Sequence, residues 1–205
     1  MAVVPALGPW LDVAGLAVFA ASGALAAAKR GQTFVTLAFF ALVTGVGGGT
    51  VRDLLIGAPV FWVHDAQAAT ACLLVAAVIW VAPERWWRGQ ALDWFDAAGL
   101  AAYAVFGAAK ALGYSIPPVP AALMGVVTAC VGGIIRDVLA GEPSILMRPE
   151  LYVTAAALAA ASYVVLERIG VAPPIAASVA ALAGFALRAA AIRWRLRLPA
   201  YRGRR

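Results

Sequence analysis

The chain repeats itself at an offset of 84 residues, within segments too apolar for a water-facing surface. Gly45-Val46-Gly47-Gly48-Gly49-Thr50-Val51-Arg52-Asp53-Leu54-Leu55-Ile56-Gly57-Ala58-Pro59 aligns with Ala129-Cys130-Val131-Gly132-Gly133-Ile134-Ile135-Arg136-Asp137-Val138-Leu139-Ala140-Gly141-Glu142-Pro143. The same offset pairs Asp12, Gly15, Leu16, Ala17 and Gly23 with Asp96, Gly99, Leu100, Ala101 and Gly107, and Thr44 with Thr128. One unbroken register across both blocks marks a duplicated unit, and a duplicated unit must pack against its own copy. Each copy places a glycine cluster and an Arg-Asp pair where helix breakers and charges are costly.

Composition places this duplication in a bilayer. The chain is 64% hydrophobic and 13% charged, against about 45–50% and about 25% for soluble domains. The net charge of +6 comes from the C-terminal end, where Arg188, Arg193, Arg195, Arg197, Arg202, Arg204 and Arg205 lie; the other nine Lys and Arg are balanced by ten Asp and Glu. That basicity reads as a topology signal, and no nucleic-acid partner is expected. Cys72 and Cys130 lie in apolar segments with no second thiol or histidine at metal spacing, so core packing is expected and no metal. The first residues lack a basic n-region and Asp12 interrupts the early apolar run, so the first apolar segment is expected to remain as a helix.

Windows of about 17–25 apolar residues predict seven spans, at residues 10–28, 33–51, 66–82, 94–112, 118–136, 150–167 and 172–191. Lys29-Arg30-Gly31 closes the first, Pro83 to Gly89 follows the third, and Pro117-Pro118 and Pro173-Pro174 open the fifth and seventh. Trp10, Trp62, Trp80, Trp86, Trp87, Trp94 and Trp194 lie near proposed ends, as an interfacial belt requires. The Arg-rich tail predicts a cytoplasmic C-terminus, and an odd helix count then puts the N-terminus outside. Lys29-Arg30, Arg85, Arg88, Arg136 and Arg148 fall inside in that arrangement. Three helices per copy force the copies to cross in opposite senses. The predicted fold is an all-α membrane protein of seven transmembrane helices: a first three-helix repeat at 10–89, a second, inverted repeat at 94–168, a seventh helix at 172–192 and a basic cytoplasmic tail at 193–205.

The glycines and charges are the candidate functional residues. Gly45, Gly47, Gly48 and Gly49 fall in the second helix and Gly132 and Gly133 in the fifth. At roughly 1 kcal/mol per glycine relative to alanine, they predict kinked or opened helices whose freed carbonyls line a path for cations. Close packing is the plainer alternative, and it is the reading for Gly15, Gly23, Gly99 and Gly107. Residues i and i+1 do not face each other on a helix, so a crossed pairing of Arg52 with Asp137 and of Arg136 with Asp53 is expected around the symmetry axis. The alternative is that each pair ends its helix at the headgroups. Lys110 is a candidate vestibule residue, with interfacial snorkelling as its alternative. His64 beside Asp65 reads as a surface turn rather than a pH gate. No phosphate loop, Ser-His-Asp set, HExxH or CxxC is present in the sequence, so neither catalysis nor a cofactor is expected.

Two copies of Gly-Gly-x-x-Arg-Asp, each ending in a Gly-x-Pro turn, in a three-plus-three-plus-one layout, resemble the prokaryotic TRIC family of trimeric intracellular cation channels. The likeness covers residues 10–190. It implies a homotrimer in which each protomer holds a hydrophilic pore between inverted repeats, with second and fifth helices kinked at the glycines. It further implies conduction of monovalent cations, chiefly potassium, with potassium and sodium as the permeant ions, in contact with membrane lipid. The second copy departs by carrying Ala129 and Val131 where the first has Gly45 and Gly47, so the fifth helix is expected to bend less. The lysine signature and phosphoinositide contacts of animal members have no counterpart here. Bacterial relatives with this duplicated domain are also labelled glycine transporters, and a carrier of a small zwitterion is the alternative function. The Ala- and Arg-rich composition points to the cytoplasmic membrane of a GC-rich bacterium.

Overall fold

The computed structural model describes residues 9–64, 66–83 and 90–199. Asp65, residues 84–89 with Arg85, Arg88, Trp86 and Trp87, the tail arginines Arg202, Arg204 and Arg205, and the side chains of Trp10 and Asp12 lie outside the described residues.

Among the described residues seven α-helices follow the seven predicted windows: α1 Pro9–Ala28, α2 Phe34–Leu55, α3 Ala66–Val81, α4 Ala91–Gly113, α5 Pro118–Leu139, α6 Val153–Arg168 and α7 Pro173–Trp194. Two 3-10 turns among the described residues, Phe61–Val63 and Ile145–Met147, stand 84 residues apart. Helices α2, α4, α5 and α7 are long and apolar enough to cross a bilayer. At 16 residues, α3 and α6 reach only about 24 Å at ~1.5 Å per residue, short of the roughly 30 Å hydrocarbon core.

Local chemistry sets the ends. Thr33 caps α2 by accepting a hydrogen bond from the Thr36 amide at 3.4 Å, and prolines begin α5 and α7. After α2 and α5 the chain turns at Gly57 and Gly141, with φ of 69° and 65°, conformations that a Cβ disfavours. The Ala58 amide then bonds the Asp53 carbonyl at 2.8 Å, and the Glu142 amide bonds the Asp137 carbonyl at 2.9 Å.

Helix α1 packs on α2 and α3, and α4 packs on α5 and α6. The two triplets meet through α1 against α4 and α2 against α5, while α7 lies against α4 and α6. These contacts are reciprocal under the 84-residue offset. A Cβ on Gly15 would strike the Tyr103 ring at 2.6 Å, and one on Gly99 would strike the Phe19 ring at 2.9 Å. Phe19 and Tyr103 themselves meet edge to face at 5.2 Å. Where α2 crosses α5, a Cβ on Gly48 would collide with the Thr128 carbonyl and one on Gly132 with the Thr44 carbonyl. Swapping the two copies leaves this pattern unchanged, which is the signature of a two-fold axis passing near Val46 and Cys130.

The copies are inverted. Arg30, just after α1, pairs with Glu142, just after α5, at 2.6 Å, so α2 begins on the face where α5 ends. This will be called the Arg30 face; α2 and α4 end on the opposite, Lys110 face. The interior is built of small residues such as Ala20, Ala24, Ala104, Ala108, Ala156 and Ala160, while Val35, Leu54, Leu74, Val81, Val119 and Leu182 point outward. Small inside and large apolar outside is the pattern of helices solvated by lipid. Cys72 and Cys130 are buried and free, as expected of core residues.

The glycine clusters correct one expectation. Both α2 and α5 are helical without interruption through Gly45–Gly49 and Gly132–Gly133, so neither helix is opened there. The space of each missing side chain is filled by a neighbour: Cys72 at Gly45, Ile135 at Gly47, Phe61 at Gly49 and Tyr152 at Gly133. Gly48→Val is therefore expected to destabilise the protein by about 1–3 kcal/mol, read as a lowered thermal midpoint in detergent. Gly57→Asn, at a left-handed position where a Cβ would meet nothing within 4 Å, is expected to stay near wild type.

Candidate functional site

Arg52 and Asp53 are fully buried, and Arg136 and Asp137 are nearly so. Charges in such surroundings persist only when partnered, and the partners come in two clusters at opposite ends of the α2–α5 contact. In each, the aspartate reaches forward to a 3-10 turn: Asp53 Oδ2 accepts from the Phe61 amide at 3.1 Å, and Asp137 Oδ2 accepts from the Ile145 amide at 2.9 Å. The other oxygen takes the neighbouring arginine. Arg52 Nε donates to Asp53 Oδ1 at 2.9 Å; Arg136 donates to Asp137 Oδ1 through Nε at 3.0 Å and Nη2 at 2.9 Å.

The expected crossed pairing is thus not formed. Arg52 and Arg136 each lie roughly six residues beyond the two-fold axis in opposite directions, about 18 Å apart along the helices at ~1.5 Å per residue. A side chain cannot span that gap. An arginine is long enough, however, to fold back beside its own neighbour once that aspartate is held forward by the turn. The i, i+1 objection applies to side chains projecting straight out, and these do not.

Each arginine does reach the other repeat, by different chemistry. Arg136 Nη1 donates across to Ser22 Oγ at 3.0 Å and, within its own repeat, to Asp96 Oδ1 at 2.5 Å. At the position equivalent to Ser22 stands Phe106, and the Arg52 guanidinium lies 5.1 Å over its ring. Lys110 supplies a further difference: its Nζ is 2.8 Å from Asp53 Oδ1 and its side chain is 12% exposed. It belongs to the charge cluster, rather than snorkelling to the interface. The residue equivalent to Lys110 in the first copy is Ala26, which leaves space on the Arg30 face. A cavity of about 380 Å³ opens there, bordered by Ala26, Asp93, Asp96, Arg136 and Asp137. His64 is exposed beyond its 3-10 turn, as a surface residue would be.

Sequence reasoning singled out the Arg-Asp pairs and Lys110 but not Asp96, Ser22, Phe61 or Phe106 as their partners. Asp96 carried a usable signal, being a carboxylate inside a predicted span and matched to Asp12 across the repeat. Ser22 and Phe106 carried none, because a two-fold swap of unlike residues leaves no motif.

The family model described as Glycine transporter matches the chain twice, over residues 9–84 and 93–168. YadS, a UPF0126 inner membrane protein of Escherichia coli K12, is 37% identical over 196 residues, covering 94% of this chain and 95% of the relative. A UPF0126 membrane protein of Vibrio cholerae serotype O1 is 36% identical over 197 residues, covering 93% and 81%. The crystal structure of a TRIC trimeric intracellular cation channel orthologue from Rhodobacter sphaeroides superposes with a TM-score of 0.85 at 42% identity, covering 91% of this chain and 97% of that one.

In a double-mutant cycle, Arg136→Gln with Asp96→Asn is expected to show a coupling of about 1–3 kcal/mol in unfolding free energy. Arg136→Gln with Asp53→Asn is expected to be additive, because those residues stand at opposite ends of the α2–α5 contact.

Proposed function

This chain belongs to the prokaryotic TRIC family, the duplicated membrane family that the Glycine transporter model also matches, and from that membership we propose that it is a monovalent-cation channel conducting chiefly potassium. Each protomer holds one pore, between repeat 10–89 and inverted repeat 94–168, and three protomers assemble as a homotrimer in the bacterial cytoplasmic membrane. The N-terminus lies outside and the C-terminus, with tail 193–205, in the cytoplasm, so the Arg30 face is the cytoplasmic one.

The observation that carries this reading is the pair of buried charge clusters at the two ends of the α2–α5 contact, at symmetry-related positions. A scaffold gains nothing from placing ionised groups there, whereas a path for ions needs polar groups that replace water at intervals. In this conformation the path is shut. The Gly48 and Gly132 contacts press α2 against α5, and Lys110 lies on Asp53 at one end. At the other end the cavity reaches Asp96 and Asp137, which Arg136 holds, and acidic and basic side chains border it in equal number, so it is a polar, water-accessible mouth without an excess of either charge. Conduction requires α2 and α5 to part at the glycine contact and Lys110 to leave Asp53.

A glycine carrier would need an arginine for the carboxylate and an aspartate for the ammonium group. Here Arg52, Arg136, Asp53 and Asp137 are already committed to one another and to the 3-10 turn amides, which favours the channel.

Potassium flux and glycine uptake in proteoliposomes discriminate the two readings. The channel reading predicts potassium flux that does not saturate and no accumulation of labelled glycine; saturable glycine uptake without potassium flux overturns it. Lys110→Ala, which installs the residue of the equivalent position in the first copy, is expected to raise potassium flux severalfold by removing the ammonium group that covers Asp53.

A further inference from the structure

A second polar cavity, of about 250 Å³, adjoins the first, sharing Asp93 and Arg148 with it, and lies between the C-terminal end of α7, the N-terminal end of α4 and the α5–α6 connection. Arg148, Arg188, Arg195 and Arg197 border it with only Asp93 and Glu150 as counter-charges, leaving an excess of two positive charges. We propose that this cavity binds an anionic phosphate group at the Arg30 face.

Arg188 provides the main evidence. It is 2% exposed, yet its Nε makes no hydrogen bond. Its Nη1 lies 2.8 Å from Glu150 Oε2, an ion pair without hydrogen-bond geometry. One face of the guanidinium rests on the Tyr152 ring at 5.2 Å, so the planar edge, the part that recognises oxyanions, remains available. A buried guanidinium with unused donors costs free energy unless something accepts from it, and the cavity is where an acceptor can enter.

The backbone is arranged around the same opening. Arg195 ends α7 in the left-handed conformation, φ 52°, which costs a non-glycine residue about 1 kcal/mol. That turn folds the following segment back, where the Leu198 amide bonds the Pro149 carbonyl at 2.8 Å and Arg197 forms a bridge with Glu150. The strained turn thereby places Arg195 and Arg197 on the solvent-exposed rim of the cavity. Gln90, the N-cap of α4, also borders the cavity and makes no side-chain cap bond, but Asp93 in the first turn of that helix offsets the positive end of its dipole. The α7 C-terminus opposes an anion, and the surplus of guanidiniums outweighs it.

A phosphate here comes either from a lipid headgroup or from solution. The test uses delipidated full-length protein, titrated in native mass spectrometry with phosphatidylglycerol and with phosphatidylcholine, and in thermal unfolding with inorganic phosphate. The variants are Arg188→Gln; Arg195→Gln with Arg197→Gln, at the exposed rim; and Arg168→Gln, exposed on the opposite face. The rim variant keeps the test meaningful if Arg188→Gln fails to fold. Preference for phosphatidylglycerol that falls about tenfold in the rim variant and persists in Arg168→Gln supports the site with lipid as source. Stabilisation by inorganic phosphate that the rim variant loses, without lipid preference, supports it with a soluble source. Neither response in the wild type, or an equal loss in Arg168→Gln, overturns it.

Discussion

The contact between α2 and α5 sets the geometry of the whole molecule. Two glycines, Gly48 and Gly132, let each helix backbone reach the threonine carbonyl of the other, Thr128 and Thr44. No hydrophobic driving force separates inside from outside in a bilayer, so such close approaches are what hold the bundle together. Because the contact is self-complementary under the repeat, it fixes a two-fold axis, and everything attached to α2 and α5 is displayed twice. The Arg-Asp pairs are displaced from the axis to the two ends of the crossing, and the 3-10 turns lie beyond them.

Sequence divergence between the copies then matters most where the copies should be equal. Lys110 and Ala26 occupy equivalent positions, as do Phe106 and Ser22. The first member of each pair places a cation or a ring against the Asp53 end; the second leaves a hydroxyl and open space against the Asp137 end. One end is closed by a tethered ammonium group, and the other is a polar cavity. A two-fold scaffold with unlike ends suits a path whose ends face different compartments.

The helix boundaries were legible because bilayer chemistry is coarse: apolar runs, prolines at starts and glycines after ends place seven helices within a few residues. The inversion followed from counting helices per copy. The partners of Arg52 and Arg136 were not legible. Their pairing depends on Asp53 and Asp137 being drawn forward by amides eight residues later, a tertiary detail that no local spacing encodes. The role of the glycines was half legible: their cost is visible in composition, but an opened helix and a close crossing require the same residues. Arg188 was read only as part of a basic tail, because its burial depends on tertiary contacts with Glu150 and Tyr152 of the α5–α6 connection that no local spacing encodes.

The central claim is a cation path that runs along the α2–α5 seam between the two clusters, and side-specific thiol modification during planar bilayer recording tests it most directly. Lys110→Cys and Asp93→Cys are exposed in turn to a charged thiosulfonate from each side; the native Cys72 and Cys130 are buried and give little background. The account predicts that potassium current changes when Lys110→Cys is modified from one side only and Asp93→Cys from the other side only. Current indifferent to modification at both positions, or altered at both from the same side, contradicts it.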